Sequence, residues 1–158
     1  MKPLVFLLLL FVAFSVASAE PIVVIVRHAE KANNSEDPDL SPAGRTRAQA
    51  LARILKDAHI TAIFTSERKR TQQTAAPTSA STGVDSTTVP AKDYATLVSK
   101  LRQVEGTALV VGHGNTIPDI IKALGIDIPI QIPDEDYTDL FIVTLDPRPQ
   151  LLRLHYPQ

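Results

Sequence analysis

The amino-acid sequence predicts an α/β domain of three layers, α/β/α, with a mostly parallel central sheet and an antiparallel edge at its C-terminal side. Three observations predict it. Residues 22–26, 60–65 and 107–111 are largely apolar runs without clean alternation, as expected of strands buried on both faces. Segments with apolar residues at helical spacing separate these runs. Two final runs, 140–145 and 150–156, flank Asp146-Pro147-Arg148-Pro149 and read as a hairpin, which makes that edge antiparallel.

The elements follow in order. Ile22 to Val26 is the first strand, and Asn33 to Asp39 is a polar stretch rich in turn formers. Ser41 then caps a helix with Pro42 at its first position, and Ala48, Leu51, Ala52 and Leu55 share one face. After the strand at 60–65, Glu67 to Ala76 reads as a helix. Pro77 is expected to end it, because proline offers no N–H and its ring crowds the preceding turn. Thr78 to Thr88 carries no apolar period and reads as a surface connection. Tyr94, Leu97, Val98, Leu101 and Val104 mark an amphipathic helix ahead of the strand at 107–111. Thr116 to Leu124 reads as a helix closed by Gly125, and Ile126 to Thr138 as a loop.

Two segments are expected in the 158 residues: a signal peptide over 1–19 and a single domain over 20–158. Met1-Lys2 is a positive start, and the apolar run Leu4 to Val16 is too short to span a bilayer. Ala17-Ser18-Ala19 is a small-residue cleavage signature, so the mature protein is expected to be secreted or periplasmic and free of the membrane. The chain has no cysteine, which excludes thiol catalysis and thiolate zinc sites and leaves stability to the core. With 16 basic and 17 acidic residues and no tryptophan, nothing points to a nucleic-acid partner. The oligomeric state has no signal in the sequence.

Chemistry gathers at three strand ends. Arg27-His28 follows the first run, Glu67-Arg68-Lys69-Arg70 the second, and His113 the third. In an open α/β sheet, ligands sit beyond the carboxyl ends of the strands. If the three runs are neighbours, two histidines and several arginines line one cavity suited to a phosphate. A histidine there serves as a nucleophile when its other ring nitrogen is hydrogen-bonded. Arginine grips phosphoryl oxygens with its planar fork. Cations near a helix N-terminus oppose the macrodipole, a cost that makes sense if an anion is gathered there. Arg68 and Arg70 are two apart, so one is expected in the cavity and the other toward solvent or a carboxylate. Gly112 and Gly114 flank His113 and allow close approach to a ligand. Each stretch taken singly also suits an ordinary solvated loop; it is their coincidence at three strand ends that carries weight.

Val26-Arg27-His28-Ala29-Glu30-Lys31 resembles the signature of the histidine phosphatase superfamily, the phosphoglycerate mutase-like proteins, with Ala29 where many members have glycine. Ser66 to Ala75 is similar to the second motif of that family, with its arginine falling on Arg70 and Arg68 at a variable position. Val110 to Thr116 is similar to the third, whose histidine falls on His113, and Leu40-Ser41-Pro42-Ala43-Gly44 resembles the start of the first helix. The resemblance implies a small, capless phosphatase in which His28 is transiently phosphorylated and water then hydrolyses the intermediate. It implies catalytic roles for His28, Arg27, Arg70 and His113. Substrate binding falls to Arg27, Arg70, His113, Asn34 and Gly114. No metal or cofactor is expected, and the partner is a small phosphorylated substrate or a phosphoprotein.

The proton donor to the leaving group has no clear match. Glu30, Asp85 and Asp93 are the nearby carboxylates, and Glu30 is expected to pair with Lys31. Without a strong acid, good leaving groups such as phosphoramidates or acidic esters are favoured. Two other readings remain: a module that binds phosphate ligands with little turnover, and a metal hydrolase using His28, Glu30 and His113. The latter lacks a His-x-x-x-His pair.

Overall fold

Residues 21–145 and 147–156 are described by the computed structural model of the protein. The expected signal peptide, residues 1–19, and Asp146 of the expected hairpin turn lie outside the described residues. Ten elements make the three layers: β1 (Ile22–Arg27), α1 (Pro42–Ile54), β2 (Ile60–Thr65), α2 (Lys69–Thr82), β3 (Ser86–Thr88), α3 (Tyr94–Leu101), β4 (Thr107–Gly112), α4 (Ile117–Ala123), β5 (Asp139–Thr144) and β6 (Gln150–His155). The strands form one sheet in the order β3-β2-β4-β1-β5-β6. The first four are mutually parallel, β5 runs antiparallel to β1, and β6 returns antiparallel to β5.

The β-branched run of β1 is buried on both faces because helices cover both. Val24 and Val26 pack with Leu51 and Leu55 from α1 and its end, and with Ala75 of α2. Val23 and Ile25 point the other way, against Leu97 and Leu101 of α3 and Ile117, Ile120 and Ile121 of α4. That period of two is the reason the strand lacks a polar side.

The start of α1 is as its sequence predicts: Ser41 Oγ accepts from Gly44 N at 3.0 Å, with Pro42 in the first turn. Two expectations need correction. Pro77 does not end α2, which runs on to Thr82 and closes at Gly83 with φ 72 and its N–H on Ser79 O at 2.9 Å. Proline inside a helix costs about 3 kcal/mol. Here the turn is held by buried Thr74, Ala75 and Thr78 and by Ser81 and Thr82 hydroxyls donating to Thr78 O. The second correction is that the connection expected over 78–88 contains β3, a short parallel edge strand with all three residues exposed. Exposure on both faces removes the apolar pattern by which a strand is recognised.

Gly44 marks a close approach between α1 and the segment after β1. A Cβ at this position would press into the Glu30 backbone carbonyl, which cannot retreat because it accepts from Ser41 N at 2.9 Å. Gly44→Ala is therefore expected to destabilise the fold by about 1–3 kcal/mol through overpacking, read as a lowered urea midpoint at unchanged m-value.

Candidate active site

The site is built at the carboxyl ends of β1, β2 and β4. In the β1–β4 pairing Arg27 lies opposite Gly112, so His28 and His113 are the next residues on each side. His28 N donates to Gly112 O at 2.9 Å, and the two imidazole centroids lie 5.3 Å apart, edge to face. Both histidines are buried.

Hydrogen bonds assign the tautomers. His28 Nδ1 lies 2.8 Å from Ala29 O. A carbonyl only accepts, so Nδ1 carries the proton and Nε2 keeps a free lone pair. Ala29 is itself held, its N–H donating to Thr74 Oγ1 at 2.9 Å. Arg70 donates through NH2 to His113 Nδ1 at 3.4 Å, which puts the proton of His113 on Nε2. That nitrogen donates to Ser66 Oγ at 2.9 Å, Ser66 Oγ meets Thr71 Oγ1 at 3.0 Å, and Thr71 donates to Arg68 O at 2.8 Å. The Thr116 hydroxyl accepts from His113 N at 3.1 Å.

Burial is the main reason that His28 is pushed down to about 3, with the charges of His113, Arg70 and Arg27 adding to it. His113 is pushed down to about 4, again first by burial and then by Arg70. Both rings are neutral at ordinary pH, and His28 is an unprotonated nucleophile throughout.

The arginines divide their donors. Arg27 NH1 donates to the carbonyls of Pro133, Asp134 and Asp136 at 3.0, 2.8 and 2.9 Å, and its guanidinium lies 4.3 Å over the Tyr137 ring. The Nε atoms of Arg27 and Arg70 are buried without a partner. Gly114 lies against this group: a Cβ there would sit 3.4 Å from the Arg27 guanidinium, an ordinary contact distance. A cavity of about 500 Å³ lies among Arg27, His28, Arg70, His113 and Gly114. Arg68 also lines it, so both arginines of the second motif reach the cavity, Arg68 being tied to Glu36 at 3.4 Å.

Asn34 is not brought into this cavity. It is exposed and lines an adjoining hollow beside Glu30 and Lys31, which shares Arg27 and Asp134 with the cavity. Instead Asp37 from the same loop approaches Arg70, at 3.8 Å. Glu30 does not pair with Lys31. Its carboxylate takes Arg47 Nε at 2.9 and 3.0 Å and Arg47 NH2 at 2.7 Å, and that guanidinium is buried. Asp93 caps α3, accepting from Thr96 N at 3.1 Å, and Asp85 is exposed before β3.

Several contributors have no role in the sequence reading. Glu67 lines the cavity and accepts from Ala91 N at 3.0 Å. Its carboxyl is held below the usual range, first by its own backbone N–H and then by Ala91 N and Arg68. Ser66 and Thr71 lie within the second motif, so their position was a usable signal. Tyr137, Arg47 and the carbonyls of 133–136 carried none.

Residues 23–92 match the family model of the histidine phosphatase superfamily (branch 1). This is the superfamily recognised from the motifs, and the phosphoglycerate mutase-like fold extends over the rest of the domain. Among solved structures, the mycobacterial glucosyl-3-phosphoglycerate phosphatase in complex with inorganic phosphate is 17% identical. It covers 87% of this chain and 98% of its own at TM-score 0.70. A SixA protein from Agrobacterium tumefaciens is 22% identical over 86% and 98% at 0.68. The protein histidine phosphatase SixA complexed with tungstate is 18% identical over 85% and 96% at 0.67. A search of curated proteins gave no match. The solved structures share the fold over most of both chains, and the family match covers the stretch that carries Arg27, His28 and Arg70.

The depressed imidazoles set a pH dependence of stability. Unfolded histidine protonates near 6.5, whereas folded His28 and His113 resist down to about 3 and about 4. The unfolded state therefore binds more protons below pH 6.5, and stability falls as pH drops from there toward 4. Urea midpoints between pH 7 and 5 are expected to decline in the natural protein. His28→Asn, whose amide can still donate to Ala29 O, is expected to flatten that decline.

Proposed function

We propose that this protein is an exported, metal-independent phosphatase that hydrolyses phosphomonoesters or phosphoramidates through a phosphohistidine on His28. The observation that carries the reading is the free lone pair on His28 Nε2, on a residue that lines one cavity together with Arg27, Arg70 and His113. Residues 1–19 have the pattern of a signal peptide and support export.

In the first step His28 Nε2 forms a bond to phosphorus as the bond to the leaving group breaks. The phosphorylated ring gains positive charge, which the Nδ1–H bond to Ala29 O spreads. Arg27, Arg70 and His113 receive the equatorial oxygens, their donors already oriented by protein contacts. Gly114 places the loop after β4 against Arg27. As the anion enters, Arg70 NH2 has a better acceptor than His113 Nδ1, and that nitrogen is free to take a proton and donate in turn. Water then attacks phosphorus, the N–P bond breaks, and His28 returns neutral with inorganic phosphate released.

The leaving group must largely supply its own stability. Glu30 is committed to Arg47 and Asp93 to its helix cap, while Glu67 is held as a carboxylate. This supports substrates whose departing atom needs little or no proton, such as phosphoramidates protonated on nitrogen and aryl or acyl phosphates. Of the neighbours' named activities, that of the protein histidine phosphatase is of the phosphoramidate kind.

The test uses the mature protein with an aryl phosphate in excess chelator. Turnover is expected to persist, His28→Ala to abolish it, and Arg70→Ala to lower kcat by roughly 10²–10³. Rapid quench is expected to trap one acid-labile, alkali-stable phosphoryl group per chain. Phosphate binding without turnover would instead identify a binding module, and loss under chelation a metal hydrolase. Because His28 stays neutral to about 3, kcat/KM corrected for substrate ionisation is expected not to fall between pH 7 and 5.

A further inference from the structure

We infer that Arg153 on β6, with its partner Asp139, is a positioning residue for Arg27 and acts through the loop between α4 and β5. The inference rests on Arg27 being a phosphoryl ligand, as proposed above. Arg27 NH1 is occupied by three carbonyls, all from residues 133–136. The guanidinium is a rigid plane, so the place of those carbonyls fixes the orientation of the whole group beside the cavity. The stretch that supplies them, residues 126–138, has no helix or strand, and Pro133, Asp134 and Glu135 are exposed. Ile126, Ile130 and Ile132 pack on the core, but the turn from Pro133 to Glu135 that grips Arg27 has no such anchor.

What holds it is a second guanidinium. Arg153 donates to Asp139 Oδ1 at 2.6 Å and Oδ2 at 2.8 Å at the end of the loop. Its NH2 also donates to Gln131 O at 3.2 Å, near the start of the gripping turn. One side chain thus closes both ends of a turn whose middle holds Arg27. The span between is stiffened locally: Asp136 N donates to Pro133 O at 2.9 Å, and Asp136 Oδ1 accepts from Thr138 N and Oγ1 at 2.8 and 2.7 Å.

The pair is an odd feature if stability is its purpose. Asp139 is 1% exposed, and a buried carboxylate paired with arginine roughly breaks even against apolar packing. β6 is the sheet edge, and none of its residues lines the cavity. Conformational definition of the neighbouring turn accounts for keeping it there. His155 Nδ1 lies 3.3 Å from Asp139 on the solvent side and is exposed, so it adds contact without replacing the fork.

A double-mutant cycle tests the inference. Asp139→Asn with Arg153→Gln removes both charges together and leaves no orphan ion in the core. In the natural background it is expected to lower kcat/KM for an aryl phosphate about 10-fold, with inorganic phosphate inhibiting correspondingly more weakly. In an Arg27→Lys background, where the fork is already gone, the same change is expected to cost little further. In an Arg70→Ala background the full loss is expected to return. An equal loss in all backgrounds, or none in the natural one, overturns the positioning role. Arg153→Lys keeps charge beside Asp139 but cannot span to Gln131 O; it repeats the cycle should the paired variant unfold. If Arg27→Lys is itself as active as the natural protein, it is Arg27's phosphoryl role that fails, independently of Arg153.

Discussion

Parallel strands hold their neighbours at a fixed level along the chain, and the site depends on that property at one place. β1 and β4 pair with Arg27 opposite Gly112, and His28 N continues the ladder onto Gly112 O. Two imidazoles 85 residues apart in the chain therefore leave the sheet side by side, with centroids at 5.3 Å. A slip of one residue would turn every side chain of the strand to the opposite face and separate the rings. The observed register runs unbroken from Ile22 opposite Thr107 to Arg27 opposite Gly112.

Close packing of cations around two histidines is possible because the histidines are neutral. Burial and the neighbouring arginines push both imidazoles far below their ordinary value, so each arginine meets a dipole and not a charge. The arginines are steadied in different ways. Arg27 leans on backbone carbonyls and Tyr137. Arg70 lies near Asp37, and the same carboxylate accepts from Lys69 N at 3.0 Å. That contact has a second effect. α2 starts with three cations and no side-chain cap of its own, against the direction of its dipole. Asp37, borrowed from the loop after β1, supplies the missing negative end.

Much of the fold was legible because burial on two faces writes a plain pattern. β1, β2 and β4 appeared as apolar runs, and the Ser41-Pro42 start of α1 matches its local chemistry. The hairpin pairing also follows from its two flanking runs. Pro77 and β3 were misjudged where local signals met tertiary packing: the buried threonines of α2 outweigh a proline, and an exposed edge strand has no apolar side. In the site, His28, Arg27, Arg70, His113 and Gly114 converge as their strand-end positions imply. Asn34 lies in an adjoining hollow on the other side of Arg27, outside the lining of the cavity.

Residue type and order by themselves determined which side chains lie at strand ends, since a strand's end follows from where its apolar run stops. They also pointed to an anionic ligand, because imidazole and guanidinium groups recur at three strand ends. Only the tertiary structure decided which donors remain free and which are spent. Glu30 goes to Arg47 and not to Lys31, and the carbonyls of a distant loop claim one nitrogen of Arg27 and leave another unpaired. Such pairings depend on which groups meet across tens of residues once the layers close, and that distance is set by packing rather than by any local preference of the chain.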